Sequence, residues 1–253
     1  MVKSPNIQKL YDSYVKHTND SNYEERYKGK EKYFHASGAG SCRRKLFFQS
    51  VACVEPTNEI KADSYRKMRL GTVFHSEMED CFRYYSTSST NKTSTSINKN
   101  LSTNFKVYLE QEILIEELDV RGFYDLVLVL DTGEVYLYDF KTIGSYPYKL
   151  KFGRYAKKPT NFRYEMQLGT YGYSVKEKFG RIDGMFLVYY NKDDSRMKEV
   201  SVDLSYVTVA YRHWREVKDH LKQGLPRFEK GVSPAEGWEC NYCVYKDICD
   251  KSL

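Results

Sequence analysis

Two runs of residues that favour extended backbone, Val120 to Leu130 and Glu134 to Phe140, are separated only by Asp131-Thr132-Gly133. Runs of this kind, so close together, pair as an antiparallel hairpin. Side chains on a strand alternate between faces, so the loop length decides which residues share a face. A loop of Thr132-Gly133 alone would set Asp125 opposite Phe140, sending the carboxylates of Asp125 and Asp139 to opposite faces. A loop of Asp131-Thr132-Gly133 sets Leu130 opposite Glu134 and Asp125 opposite Asp139, with Lys141 on the same face. Three-residue loops close on a left-handed residue, where glycine is favoured, and Gly133 stands there. The three-residue loop is the expected one, with Gly133 at positive φ.

The rest of the chain arranges itself around this hairpin. Lys67 to Tyr85 reads as a helix with an apolar stripe of Leu70, Val73, Phe74 and Met78, continued by Cys81 and Phe82. Val107 to Ile115 reads as a strand, Arg163 to Glu177 as a helix, and Arg181 to Tyr190 and Glu199 to Leu204 as strands. Ser205 to Lys222 reads as a helix carrying Val209, Trp214, Val217 and Leu221. A further helix is expected to start at Cys42, capped by Ser41. This order predicts an α/β fold, a mixed central β-sheet flanked by helices. Residues 1–40 read as an N-terminal extension, 41–223 as the core and 224–253 as a loop-rich segment holding three cysteines. Residues 86–104 are almost entirely Ser, Thr, Asn and Lys, which cannot bury a face, and read as a loop.

The chain has 253 residues and a formal net charge of +6, a balance compatible with a polyanionic partner. The longest aliphatic run, Leu126 to Leu130, is far too short to span a bilayer. No secretory h-region follows Met1, so the expectation is a cytoplasmic protein, in the host cytoplasm if viral, with no membrane partner.

The chemistry concentrates on Asp125, Asp139 and Lys141. Carboxylates on adjacent strands can hold Mg²⁺ or Mn²⁺, hard cations that want oxygen ligands. A lysine on the same face can stabilise charge developing on a phosphate. Charged groups in an otherwise apolar, aromatic strand are costly unless paired or used. A lone D-x-K would more often be a solvent-facing strand; the company of Asp125 is what weighs against that here.

Gly122-Phe123-Tyr124-Asp125 followed by Asp139-Phe140-Lys141-Thr142 resembles the core of the PD-(D/E)XK nuclease superfamily, and in particular its RecB-like branch, although Tyr124 stands where the superfamily name expects proline. Gly71-Thr72-Val73-Phe74-His75 is similar to that branch's helix histidine. Gln167-Leu168-Gly169-Thr170-Tyr171 is similar to its Q-x-x-x-Y motif, and Glu112 lies where the family often carries a glutamate. The resemblance implies a restriction-endonuclease-like core, a metal set of His75, Asp125, Asp139 and Phe140, and contacts from Gln167 and Tyr171 to the DNA backbone and to the catalytic Lys141.

Six cysteines occur: Cys42, Cys53, Cys81, Cys240, Cys243 and Cys249. In a reducing compartment a spaced set reads as a metal or iron–sulfur site before it reads as disulfides. Four thiolates suit tetrahedral Zn²⁺ as well as a cluster, and spacing alone does not separate them. Cys240-Asn241-Tyr242-Cys243, Cys249 and the distant Cys42 resemble the iron–sulfur staple of AddB-type nucleases and of CRISPR-adaptation exonucleases, which implies a [4Fe–4S] cluster. Cys53 and Cys81 are expected to be small buried hydrophobes. Arg43, Arg44 and Lys45 read either as phosphate contacts or as a solvated helix start.

The resulting expectation is a metal-dependent DNA exonuclease or end-processing nuclease. Its partner would be DNA, single-stranded or with free ends, with any helicase, recombinase or CRISPR-adaptation protein on a separate chain. A structure-selective endonuclease on the same site, or a non-cutting nucleic-acid-binding module, are the alternatives.

Overall fold

The computed structural model describes residues 6–29, 32–88, 105–154, 156 and 161–252. Seven α-helices and six strands are found among them. In chain order these are α1 (Ile7–Tyr27), β1 (Phe34–His35), α2 (Arg43–Leu46), α3 (Ala62–Ser88), β2 (Phe105–Ile115), β3 (Val120–Leu130) and β4 (Val135–Ile143). There follow α4 (Ser145–Phe152), α5 (Phe162–Phe179), β5 (Gly184–Asn191), β6 (Met197–Val202), α6 (Tyr206–Leu221) and α7 (Lys246–Asp250). The expected Ser/Thr/Asn-rich loop begins within the last turn of α3, and its remainder, 89–104, lies outside the described residues.

The strands form one mixed sheet in the order β1-β3-β4-β5-β6, with β2 also paired to β3. This is the expected mixed sheet flanked by helices. The hairpin register is the three-residue one: Leu130 N–H donates to the Glu134 carbonyl (2.9 Å), and Gly133 N–H to the Leu130 carbonyl (2.9 Å). Gly133 sits at φ +97°. The β3–β4 ladder runs from Val129–Val135 to Leu126–Tyr138, and its continuation sets Asp125 opposite Asp139. Strand β4 pairs in parallel with β5, which places Lys141 beside Tyr189.

The chain divides into two compact units. The first comprises residues 1–34, 41–73 and 221–253; the second comprises 35–40 and 74–220. In the second, Phe140, Leu126 and Val188 are buried against Phe74, Met78 and Phe82 of α3. On α5, Met166, Leu168, Tyr171 and Val175 are buried, and α5 packs on β4 and β5. Gly122 has a packing role: a Cβ there would lie 2.8 Å from Ala36 Cβ and 3.1 Å from the Tyr171 ring, so only glycine lets that ring approach the strand.

In the first unit, the Cys42 N–H donates to Glu239 Oε1 (3.0 Å), and the Thr57 and Asn58 N–H groups donate to the Val244 carbonyl. Three expectations are corrected. Leu70 and Val73 are half exposed, so the apolar stripe of α3 is carried by Phe74, Met78 and Phe82. Cys53 and Cys81 are exposed, not buried. The N-cap of α2 is Cys42, without a side-chain cap bond, and Ser41 lies outside the helix. No helix among the described residues is long and apolar enough to cross a membrane.

Candidate active site

The site forms where β3 and β4 part. Beyond the Leu126–Tyr138 pair, the Phe140 N–H donates to Asp125 Oδ2 (2.6 Å) rather than to a β3 carbonyl. The Asp125 carboxylate thus replaces a ladder bond and is held between the strands. Its other oxygen lies 3.3 Å from His75 Nδ1 on α3. The opposite ring nitrogen of His75, Nε2, is 3.0 Å from the Phe140 carbonyl; a carbonyl can only accept, so the imidazole N–H is the donor.

Glu110, on β2, completes the group. The β2–β3 register sets it opposite Asp125, and its Oε1 is 4.0 Å from His75 Nδ1. It holds φ +45° in mid-strand, a conformation that a non-glycine residue adopts at a cost and that clusters at functional sites. Ligand atoms of His75, Glu110 and Asp125 all lie within 4.8 Å of one another. Burial opposes protonation of His75, but hydrogen bonds to Asp125 and Glu110 outweigh it and carry the imidazole up to about 10.

Asp139 is almost fully buried. Its Oδ2 has no hydrogen bond of ordinary geometry and faces Lys141 Nζ at 2.5 Å. Burial pushes this carboxyl up, against the pull of the Lys141 ammonium. Lys141 suffers the same burial, but Asp139 and Asp125 outweigh it and keep the amine an ammonium. Lys141 Nζ also donates to Gln167 Oε1 (3.1 Å), and Gln167 Nε2 donates to the Tyr171 hydroxyl (2.9 Å). The Tyr164 ring lies 5.0 Å from the same Nζ.

His75, Asp125, Asp139, Phe140, Lys141, Gln167 and Tyr171 are therefore brought together in one unit. Glu110 is the residue that sequence reasoning missed. Glu112 instead pairs with the buried Arg121. Strand alternation puts Glu110 and Glu112 on one nominal face of β2, so the sequence carries no signal that singles out Glu110; the β2–β3 register does. The donor set fits a divalent cation: two carboxylates and an imidazole converge beside the buried Asp139–Lys141 ion pair.

The four remaining cysteines of the predicted set belong to the other unit. Burial pushes the Cys240 and Cys243 thiols up, and both lie in the field of Cys42 and Cys249. Arg44 is buried and fully engaged. Its Nε donates to Cys249 Sγ (3.1 Å), and its terminal nitrogens to the carbonyls of Pro226 (2.7 Å), Cys249 (3.2 Å) and Ser252 (3.4 Å). It is thus a brace for the C-terminal segment and not a phosphate contact.

Among solved structures, the chain is similar to SSO0001, at 19% identity and a TM-score of 0.57, over 98% of this chain and 100% of that chain. It is also similar to an alkaline exonuclease, LHK-Exo, from Laribacter hongkongensis, at 14% identity and a TM-score of 0.45, over 79% of this chain and 93% of that chain. The complex of LHK-Exo with dAMP gives the same values. A search of curated protein sequences finds no match. Residues 97–250 match the PD-(D/E)XK nuclease superfamily, whose members generally use divalent metal ions. That match covers more than half of the 253 residues, and the chain belongs to the PD-(D/E)XK nuclease superfamily.

Proposed function

We propose that this chain is a metal-dependent deoxyribonuclease that hydrolyses phosphodiester bonds at DNA ends. The observation that carries the reading is the convergence of Asp125, Glu110 and His75 beside the buried Asp139–Lys141 pair. His75, Glu110, Asp125, Asp139 and the Phe140 carbonyl are the groups that would hold Mg²⁺ or Mn²⁺. A bound divalent cation supplies Lewis-acid activation of the phosphodiester and of the attacking water.

Lys141 presents a fixed ammonium, whose charge offsets that developing on the attacked phosphate. Gln167 and Tyr171 are positioning residues: they hold Lys141 through two successive hydrogen bonds, so the ammonium need not reorganise during reaction. Retention of both carboxylates and the lysine weighs against a non-cutting module. Action at ends, in place of internal cleavage, rests on the resemblance to iron–sulfur exonucleases.

The same proposal includes a [4Fe–4S] cluster on Cys42, Cys240, Cys243 and Cys249. Its support is the shared electrostatic neighbourhood of the four thiols and the Arg44 bond to Cys249 Sγ. Zn²⁺ in the same thiolates is the competing occupant.

Lys141→Ala decides the catalytic reading. We expect Mn²⁺-dependent release of nucleotides from linear single-stranded DNA to fall by at least 100-fold, with oligonucleotide binding retained. A Lys141→Ala rate near that of the parent would refute the assigned site. Equal cleavage of circular single-stranded DNA would replace exonuclease by endonuclease.

A further inference from the structure

Between Asp139 and Glu165 the chain carries seven Lys or Arg and no Asp or Glu, and the same stretch holds seven aromatic residues. The second unit as a whole is balanced, with 21 Lys or Arg against 21 Asp or Glu, so this run is a local concentration of positive charge. It begins at the catalytic strand itself.

The structure describes this run up to Arg154, at 156 and again from Asn161. Helix α4 starts two residues after β4 ends, with the Ser145 N–H anchored on Asp193 Oδ2 (2.7 Å). Tyr148 is buried, its ring 4.8 Å from the Arg196 guanidinium and 4.8 Å from the Phe152 ring. Phe152 lies against Tyr189 (5.2 Å), and Lys151 Nζ stands 5.4 Å over the same Tyr189 ring. Tyr189 meets Tyr164 at 6.4 Å, and Tyr164 meets Lys141 Nζ at 5.0 Å. An unbroken path of cations and rings thus leads from Lys141 to α4.

The outer face of α4 is different. Tyr146 is 74% exposed and Leu150, one turn later, 59%. Phe162, at the start of α5, is 55% exposed. Tyr146 and Leu150 stand one turn apart with the exposed Lys149 between them, so a ring, an aliphatic side chain and a cation share one exposed face. Rings interleaved with cations are what an unpaired nucleic-acid strand recognises: bases stack on the rings, and phosphates meet the ammonium groups. A double helix keeps its bases stacked internally and would leave Tyr146 unused.

We propose that the outer face of α4, with Tyr146 and Leu150 as base-contacting residues and Lys149 as a phosphate contact, grips the single-stranded portion of a nucleic acid leading to Lys141. This rests on the nuclease reading for its substrate, but its own test needs no cleavage.

The test is binding of the full chain to a fluorescein-labelled oligothymidylate in EDTA, followed by anisotropy. Tyr146→Ala should weaken binding at least about 5-fold, since stacking on one aromatic ring is worth about 1–3 kcal/mol. Binding to a blunt duplex of equal length should be unchanged. Lys149→Gln should reduce the slope of log affinity against log salt by about 0.7, the value for one lost phosphate contact on a single strand. Lys149 is exposed, so its replacement leaves the fold intact, and circular dichroism checks this. Unchanged oligonucleotide affinity in Tyr146→Ala and Leu150→Ala would overturn the proposal. So would a loss of self-association in those variants without loss of oligonucleotide binding, which would make the face a contact for a second copy. Wild-type protein that binds as described but hydrolyses nothing with Mn²⁺ would sink the nuclease reading and leave the grip standing.

Discussion

Glu110 holds φ +45° in the middle of a strand and brings its carboxylate toward His75, within the same group as Asp125. Two acids, Glu110 and Glu112, stand two apart on β2 and share a nominal strand face, so alternation cannot rank them. The tertiary structure separates them by partner: Glu112 meets Arg121, and Glu110 meets the imidazole. Glu110 and Asp125 also set the titration of His75. Burial opposes its protonation, but hydrogen bonds to the two carboxylates push the imidazole from the ordinary 6.5 up to about 10. A histidine raised in this way contributes stability fully present below pH 6.5 and lost as pH rises through about 10. In EDTA, therefore, the denaturation midpoint of wild-type protein should fall from pH 6 to pH 10 more steeply than that of His75→Gln. Parallel pH profiles for the two proteins would show that the carboxylates do not hold the proton. The same linkage makes cation affinity rise with pH, because a cation bound by His75 must displace that proton.

Helices α5 and α6 show how a small residue decides the packing of whole elements. A Cβ on Gly169 would lie 2.3 Å from the Tyr206 carbonyl oxygen and 3.2 Å from Ala210 Cβ, and the backbone atom cannot swing aside as a side chain can. Next to it, Trp214 Nε1 donates to Thr170 Oγ1 (2.9 Å) in the buried interface. Gly169→Ala should lower the thermal midpoint, with a loss of about 1–3 kcal/mol as the helices are pushed apart. An unchanged melting temperature would mean that α6 shifts freely. The elements that periodicity foretold are those with one buried face. Helix α5 runs Phe162–Phe179 where Arg163 to Glu177 was expected, and β3 spans Val120–Leu130 as expected. Helix α4 went unread because its apolar residues point both inward, at Tyr148, and outward, at Tyr146 and Leu150, and Pro147 in its first turn suggests a break. Helix α1 presents Ile7, Leu10, Tyr11 and Tyr14 to solvent, so its apolar stripe does not report burial.

At the scale of the molecule, the two units differ in charge as well as in residues. The first holds 19 Lys or Arg against 13 Asp or Glu and so accounts for the whole net charge of +6, the second being balanced. Cys42, Cys240, Cys243 and Cys249 all belong to the first unit, and Cys42 and Cys249 act electrostatically on both Cys240 and Cys243. If these thiols hold an iron–sulfur cluster, anaerobically purified protein is brown, and Cys243→Ser loses both the colour and much of its soluble yield, because metal binding is coupled to folding. Colourless wild-type protein with stoichiometric zinc would remove the cluster and leave the catalytic site untouched. Local chemistry determined a good part of this protein in advance. Strand alternation, the three-residue turn closed by Gly133 and the spacing of Asp139 from Lys141 dictated that two carboxylates and a lysine share a face, since each follows from backbone geometry over a few residues. Tertiary structure alone decided that Glu110 and not Glu112 meets His75, that Arg44 braces Cys249, and that Cys53 and Cys81 are exposed. Those outcomes depend on which side chains from distant segments compete for the same space and the same partners, and no local period encodes that competition.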